Sequence, residues 1–368
     1  LMKSKKIKLI IFHPYSKIGG ADKSLSRLIN KLDSSKYEII FITIEKPHIK
    51  FYLKKKIKII KIKSSKTIFS VIKIRKILKS FSEEKKIIFF SNQNFANIIS
   101  FFILFRFSNI KHIIMERNHI DEFKYSVNFL DLIKKKIIFL LMKIFYKHAD
   151  LVLGNAKKLC IDLKKITNCK VKRIYNPAYD KEIYKLAKSK IKKINKKNII
   201  LNVGRLEIQK DQITLLKAIK NIDNIYLIII GYGEKKIELE NYIRKHNLQK
   251  KVIILDNITN PYPYFKRAKL FVLSSLYEGF PNVLTEAIMF DLPVISSNCN
   301  SGPSEILLQN KGIHIYEKKN HIELEKKINL FFKNKNLFHK KNKLLKRKLQ
   351  RFNPGRIILE YDKIFQKI

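Results

Sequence analysis

Two open α/β units, each a parallel sheet wrapped by helices, are predicted by three features of the chain. Strand-like and helix-like segments alternate almost throughout, 368 residues exceed one comfortable core, and the composition shifts midway. In the first half, apolar runs at Ile7–Phe12, Tyr37–Ile44, Ile57–Ile62, Lys86–Phe90, His112–Glu116, Leu151–Leu153 and Lys172–Tyr175 read as strands. Helices fit between them at Ala21–Leu32, Ile68–Phe81, Phe95–Phe105 and Asp121–Lys147. Asn176-Pro177 ends this pattern, and the Lys-rich stretch from Asp180 to Lys197 has few large apolar anchors, so it reads as a linker.

A second series begins at residues 197–203 and continues through strands Ile225–Ile230, Val252–Leu255, Leu270–Leu273 and Pro293–Ser296. Its helices are Gln212–Ile219, Lys236–Asn247, Tyr262–Arg267 and Val283–Phe290. After Ile313–Tyr316, residues 323–352 read as helical, and Pro354-Gly355 opens a last helix to Ile368. No repeat of fixed period is evident. In open parallel sheets ligands bind beyond the carboxyl ends of the strands, so the loops there carry the functional reading.

Lys+Arg number 78 against 30 Asp+Glu, a formal net charge of +48. Such an excess predicts attraction to polyanions: nucleic acid, anionic lipid or a phosphorylated substrate. It runs from Lys3 to Lys367 alongside abundant Ile and Asn, so a general Lys-rich bias explains much of it. Cys160, Cys169 and Cys299 form no disulfide framework or zinc spacing, and the nine His show no metal-ligand pairing, so no metal and a reduced, cytoplasmic protein are expected. The first residues run into a strand pattern without the apolar core of a signal peptide, and no stretch reaches the roughly 18 apolar residues of a spanning helix. Lys134–Lys147 is basic, aromatic and long enough to lie in a lipid interface; the alternative is a buried helix with snorkelling lysines.

Chemistry concentrates in a few loops. Gly19-Gly20 follows the first strand and opens a helix, which lets a ligand approach backbone N–H groups; an ordinary tight turn is the alternative, and neither a Walker A nor a G-x-G-x-x-G pattern is present. Gly204, Arg205 and Lys210 follow the first strand of the second half, where the two cations can converge on a diphosphate and stabilise its charge without a metal. Gly231-Tyr232-Gly233 follows the next strand as a tight turn or a seat for base or ribose. Glu278-Gly279-Phe280-Pro281-Asn282-Val283-Leu284-Thr285-Glu286 holds two carboxylates on either side of a helix start, whose N–H groups attract phosphate. Asn300–Glu305 follows the last central strand. In the first half Glu116-Arg117-Asn118-His119 follows a strand: His119 can position or deprotonate an acceptor hydroxyl, or Arg117 can hold an acceptor phosphate.

These motifs together resemble the family-4 retaining glycosyltransferases, of the glycosyltransferase group 1 type. The likeness runs through Gly19-Gly20, Gly204-Arg205-Leu206 with Lys210, Gly231-Tyr232-Gly233 and, most specifically, the E-x7-E element from Glu278 to Glu286. It implies a GT-B fold: two Rossmann-like α/β/α domains facing across a cleft, with the C-terminal helix returning to the first. The boundaries it suggests are 1–178 for an acceptor domain, 179–196 for the linker, 197–352 for a nucleotide-sugar domain and 353–368 for the returning helix. Arg205 and Lys210 would bind the donor diphosphate, Glu286 the ribose and Glu278 the sugar, with backbone at Val283 and Leu284 near the phosphate. Gly19 and Gly20 would make room for diphosphate and acceptor. Gly204, Gly231, Gly233, Gly279, Phe280 and Asn282 complete the donor set, and the acceptor-side residue aligns with either Arg117 or His119.

The expected activity is metal-independent, retaining transfer of a sugar, with N-acetylhexosamine suggested by Asn300–Leu307, from a UDP- or GDP-sugar to a hydroxyl of a lipid-linked or surface glycan. Arg205, Lys210, Glu278 and His119 are the catalytic candidates. The donor is a co-substrate, so no cofactor is expected. An anionic membrane surface at the inner face is a candidate partner, and no specific nucleic acid is expected. Two alternatives stand: a nucleotide-sugar epimerase on a related scaffold, and a non-catalytic polyanion-binding protein.

Overall fold

The computed structural model describes residues 6–16, 19–44, 46–81, 86–191, 194, 196–256, 258–308 and 312–368. Lys17 and Ile18 of the glycine loop, and residues 192, 193 and 195 of the expected linker, lie outside them. The chain divides into two compact units, residues 1–177 with 354–368, and residues 178–353.

The first unit runs β1 (Ile7–Phe12), α1 (Gly20–Lys31), β2 (Tyr37–Thr43), β3 (Lys58–Lys61), α2 (Val71–Lys79), β4 (Ile87–Asn92), α3 (Asn94–Leu104), β5 (Ile110–Glu116), α4 (Phe129–Phe145), β6 (Leu151–Gly154), α5 (Lys157–Thr167) and β7 (Val171–Arg173). Its sheet has the order β3-β2-β1-β4-β5-β6-β7, all parallel. Both faces of the central strands are covered: Leu9, Ile10, Ile11 and Phe12 of β1 are all buried. Ile10, Ile40 and Phe89 face one cluster with α2 and α3, whereas Ile114 and Val152 face another with α4 and α5.

The second unit runs α6 (Glu182–Leu186), β8 (Ile199–Val203), α7 (Gln212–Ile219), β9 (Tyr226–Ile230), α8 (Lys236–Lys245), β10 (Val252–Leu255), α9 (Tyr262–Arg267), β11 (Leu270–Leu273), α10 (Asn282–Met289), β12 (Val294–Ser297), α11 (Pro303–Ile306), β13 (Ile315–Tyr316), α12 (His321–Lys333) and α13 (Lys335–Lys348). The parallel sheet order β10-β9-β8-β11-β12-β13 reverses direction between β8 and β11. That reversal opens a crevice at the strands' carboxyl ends. The last helix, α14 (Pro354–Lys367), belongs to the first unit: Tyr361 and Phe365 pack edge-on against Phe90, and the Tyr37 hydroxyl donates to Asp362 Oδ1 at 2.6 Å.

Four details differ from the sequence reading. Residues 121–147 are not one helix: His119 caps a 3-10 turn over Ile120–Lys124, and the Asn128 side chain caps α4 afresh by accepting from Asp131 N at 2.9 Å. α5 was not anticipated; its mixed Lys and Leu composition hides an inward face of Leu159 and Leu163. The helical stretch 323–352 breaks at Asn334, whose side chain caps α13. The linker segment carries α6, with Ile183 buried and the Tyr184 hydroxyl donating to Met289 O at 2.7 Å, so it packs on the second unit.

Candidate active site

In the second unit the loops after β8 and β11 meet at the switch point. Gly204 ends β8, and a Cβ there would sit 3.3 Å from Lys210 Cδ, so the missing side chain gives the lysine stem its path. A 3-10 turn over Ile208–Lys210 then aims Lys210 across the crevice, where Leu276 N donates to Gln209 O at 2.8 Å and Ser274 Oγ donates to Lys210 O at 2.7 Å. Those bonds stitch the two loops together. Lys210 Nζ consequently pairs directly with Glu278 Oε1. Ser275 Oγ donates to the same oxygen at 2.7 Å.

Arg205 lies on the same loop but points elsewhere. Its guanidinium donates to Glu207 at 3.0 Å and to Gln209 Oε1 at 3.1 Å, and its side chain is 36% exposed. Lys210 and Glu278 are therefore brought together, whereas Arg205 is held at the rim by acidic and amide partners.

The bend after Glu278 leads into α10, whose first residues Asn282 and Val283 present helix N-terminal backbone groups. Leu284 is fully buried, so only its backbone can serve a ligand, and Leu284 N is already donated to Pro281 O at 3.1 Å. Phe280 is buried with its ring edge-on to Phe352 at 4.9 Å; its side chain is a packing post. Gly279 carbonyl is pressed by the loop after β12: a Cβ on Gly302 would lie 2.0 Å from Gly279 O. Glu286 is one turn further along α10, 2% exposed, accepting from the Tyr262 hydroxyl at 3.0 Å.

Gly231 and Gly233 hold the β9 loop against the β8 loop. A Cβ on Gly231 would fall 1.9 Å from Gly204 O; Gly233, at φ +153°, would put one 2.3 Å from Leu206 O. Leu206 N donates to Tyr232 O at 2.8 Å, closing the junction. These glycines are close-approach residues that shape the loop after β8 from beneath.

In the first unit, Gly19 has extended backbone at φ −178°, which any residue adopts, and Gly20 is the first residue of α1. A Cβ on Gly19 would meet no described atom within 4 Å, so this corner is open. Beside it Asp22 accepts from Ser16 Oγ at 3.1 Å and lies 3.0 Å from His13 Nε2. His119 and Arg117 separate clearly. His119 is 2% exposed; its Nδ1 accepts from Asp121 N at 3.2 Å and its Nε2 lies 2.9 Å from Asp162 Oδ2. Arg117 is buried at the end of β5, donating to Asn92 Oδ1 at 2.8 and 3.1 Å and to Asn176 Oδ1 at 3.1 Å; burial lowers its pKa.

Three residues of this architecture escaped the sequence reading. Ser275, three residues before Glu278, had a local signal in its spacing. Gln209 donates to Tyr277 O at 3.0 Å, and Tyr262 reaches Glu286 from 24 positions away; neither carries a motif. Cys299 Sγ lies 3.0 Å from Ser275 O, and burial, with the Glu278 carboxylate nearby, pushes its thiol up to about 12, which keeps it protonated and inert. Among the described residues no group of three or more His, Cys, Asp or Glu side chains is arranged to hold a metal ion, and no helix is long and apolar enough to cross a membrane.

Similarity to known proteins identifies the family and the fold. The family of group 1 glycosyl transferases matches residues 184–348, a span that includes Gly204, Lys210, Glu278 and Glu286. An uncharacterised glycosyltransferase of Methanocaldococcus jannaschii is 34% identical over 309 residues, 77% of this chain and 73% of that protein. An N-acetylgalactosaminyltransferase of Campylobacter jejuni, named for a diphospho-undecaprenol-linked acceptor, is 29% identical over 65% of this chain and 64% of its own length. Among solved structures, sucrose-phosphate synthase from Thermosynechococcus elongatus superimposes with a TM-score of 0.82 at 16% identity, covering 98% of this chain and 99% of that one. The Anabaena protein HepE in complex with UDP and glucose gives 0.79 at 16% identity over 98% and 100%. The fold is GT-B, and the chain belongs to the group 1 glycosyltransferases.

Proposed function

We propose that this glycosyltransferase works with retention and without a metal, moving a sugar from a UDP- or GDP-sugar to a hydroxyl of a lipid-linked or surface-glycan acceptor. The observation that carries the reading is the Lys210–Glu278 pair at the switch point, one bend before the N-terminus of α10 and followed by buried Glu286. A cation, a helix start and two carboxylates in that order match the parts of a nucleoside-diphosphate sugar: phosphate, sugar hydroxyls and ribose. Lys210 and, on rotating from Glu207, Arg205 favour departure of the diphosphate. Glu278 orients the sugar; Glu286 takes the ribose. The acceptor hydroxyl then attacks the face the diphosphate leaves, and a leaving phosphate oxygen accepts its proton. An N-acetylhexosamine donor follows from the Campylobacter relative's name and from the Asn300–Leu307 loop.

For the acceptor side Arg117 is the stronger candidate. His119 is engaged at both ring nitrogens as a loop cap, whereas Arg117 is a cation fixed at a strand end by Asn92 and Asn176. A nucleotide-sugar panel with turnover measured in wild type and Lys210→Ala tests the assignment. Activity of the variant equal to wild type overturns it.

The helix α4 supplies a membrane face for a lipid-linked acceptor. Leu130, Ile133, Ile137, Leu140 and Ile144, spaced three and four apart, form an exposed apolar stripe, and Phe129 beside them is 73% exposed. Exposed Lys134, Lys136, Lys143 and Lys147 accompany it. A second copy of the chain would set lysine against lysine; an anionic lipid surface satisfies stripe and charges together. On this reading the protein works as a peripheral enzyme at the inner membrane face, which the exposed stripe and lysines of α4 support.

A further inference from the structure

Lys210 has two duties that compete. In the structure it neutralises Glu278, yet the proposed reading needs the same ammonium on the donor diphosphate. When it moves, Glu278 keeps a buried carboxylate, 5% exposed, that must not be stranded. Among the described residues, one other side chain reaches it.

Ser275 is fully buried, and its hydroxyl donates to Glu278 Oε1, the oxygen that Lys210 also holds. Among the described residues none bonds Oε2, which leaves that oxygen for a ligand. The serine is itself anchored. Its carbonyl accepts from the Ser297 hydroxyl at the end of β12, and Cys299 Sγ lies 3.0 Å from it; a thiol kept protonated by burial is a donor there. β12 thus fixes β11's loop, and the loop fixes the carboxylate.

We propose that Ser275 is the positioning residue that lets Glu278 release Lys210 to the donor diphosphate: its hydroxyl stays on Oε1 when the ammonium leaves, and Oε2 remains aimed at the sugar. The inference rests on the reading of Lys210 as a diphosphate ligand. It has a consequence that runs against intuition, because Glu278 and the diphosphate compete for one cation. Removing the carboxylate's charge should tighten the binding of a nucleoside diphosphate that carries no sugar, while removing its standing partner should weaken it.

Calorimetry with UDP and GDP tests this on wild type, Ser275→Ala, Glu278→Gln and the double variant, with thermal melts as the folding control. Neutralising Glu278 is expected to tighten binding about fivefold. Ser275→Ala in the wild-type background is expected to weaken it about tenfold, the scale of one hydrogen bond to a charged group. In the Glu278→Gln background the same serine change should alter affinity by less than about twofold, since no stranded carboxylate remains for the hydroxyl to stabilise. Ser275→Thr, which keeps the hydroxyl, should bind like wild type. Equal weakening by Ser275→Ala in both backgrounds would show a structural role only and overturn the inference, as would Glu278→Gln that binds no tighter. Wild type that binds neither nucleotide would instead overturn the donor reading itself, so the two failures are distinguishable.

Discussion

The Gly231→Ala variant probes whether the donor loops depend on close backbone approach. The added methyl would lie 1.9 Å from Gly204 O, 3.0 Å from Gly204 C and 3.4 Å from a Leu206 methyl. The nearest atom is backbone at the end of β8, held in the sheet by Gly204 N donating to Ile230 O at 3.0 Å, so it cannot turn aside as a side chain would. Either β8's end or β9's end must shift by more than an ångström. Overpacking of this kind costs about 1–3 kcal/mol. For a unit of the size of residues 178–353, each kcal/mol lowers the melting temperature by about 2–4 °C, so a drop of about 2–12 °C is expected. Because Gly204 directs the stem of Lys210, nucleotide affinity should fall with stability. Scanning calorimetry and UDP titration measure both. A variant melting within about 1 °C of wild type with unchanged UDP binding would refute the view that these glycines shape the site from beneath.

Glu116 gives a pH prediction: burial, outweighing its bonds from Tyr146 and Asn97, pushes its carboxyl up to about 7. The folded state then holds a proton that the unfolded chain gives up from about pH 4.5, so stability falls as pH rises from about 4.5 to 7, by up to about 3 kcal/mol, and is flat above. His112, lowered by burial to about 3, tilts the opposite way over part of that range, so the difference between wild type and Glu116→Gln is the quantity to follow by thermal unfolding; a difference independent of pH would rule out a buried neutral Glu116. On α4, Leu130→Ser with Ile137→Ser should abolish sedimentation with vesicles containing phosphatidylserine while leaving the melt unchanged, and Lys134→Glu with Lys143→Glu should do so most at low salt. Vesicle binding that survives both pairs would exclude this face as the lipid contact.

The sheet strands were legible because parallel strands buried on both faces read as unbroken apolar runs, as Ile7–Phe12 and Leu270–Leu273 do. Helices were less so wherever lysine filled the outer face. α5, with Lys157, Lys158, Lys164 and Lys165, buries Leu159, Cys160, Leu163 and Thr167, too sparse an apolar stripe to stand out. Caps were overlooked for a different reason. Asn128 and Asn334 are two among many asparagines in an Asn-rich chain, and only the position of the following N–H groups shows which of them cap a helix. At the site, Glu278 stood out beside Gly279 and Lys210 by sharing a post-strand loop with Gly204; Tyr262 did not, since its link to Glu286 exists only through the packing of α9 beside the sheet.

Charge, the most conspicuous property of the chain, says least about its chemistry. With 78 basic residues, a cation near any loop is expected by composition, and Arg205 at the rim illustrates how readily such a residue finds an acidic neighbour. Acidic residues are scarce, 30 in all, and burying one is costly unless it is partnered. The buried carboxylates among the described residues are Asp22, Glu116, Asp121, Glu278 and Glu286: Glu116 ends β5, Asp121 and Glu278 lie in the loops after β5 and β11, and Asp22 and Glu286 sit in the helices that follow β1 and β11. A lysine-rich bias cannot place them there. Asp22 and Asp121 explain themselves as posts, fixing loops through Ser16 and Lys124. Burial holds Glu116 as the neutral acid in spite of the bond that the Tyr146 hydroxyl donates to it. Glu278 differs in kind: its charge is met directly by the Lys210 ammonium at the switch point. On the proposed reading the minority charge marks the chemistry, whereas the abundant one is spent on the surface, the exposed lysines of α4 included.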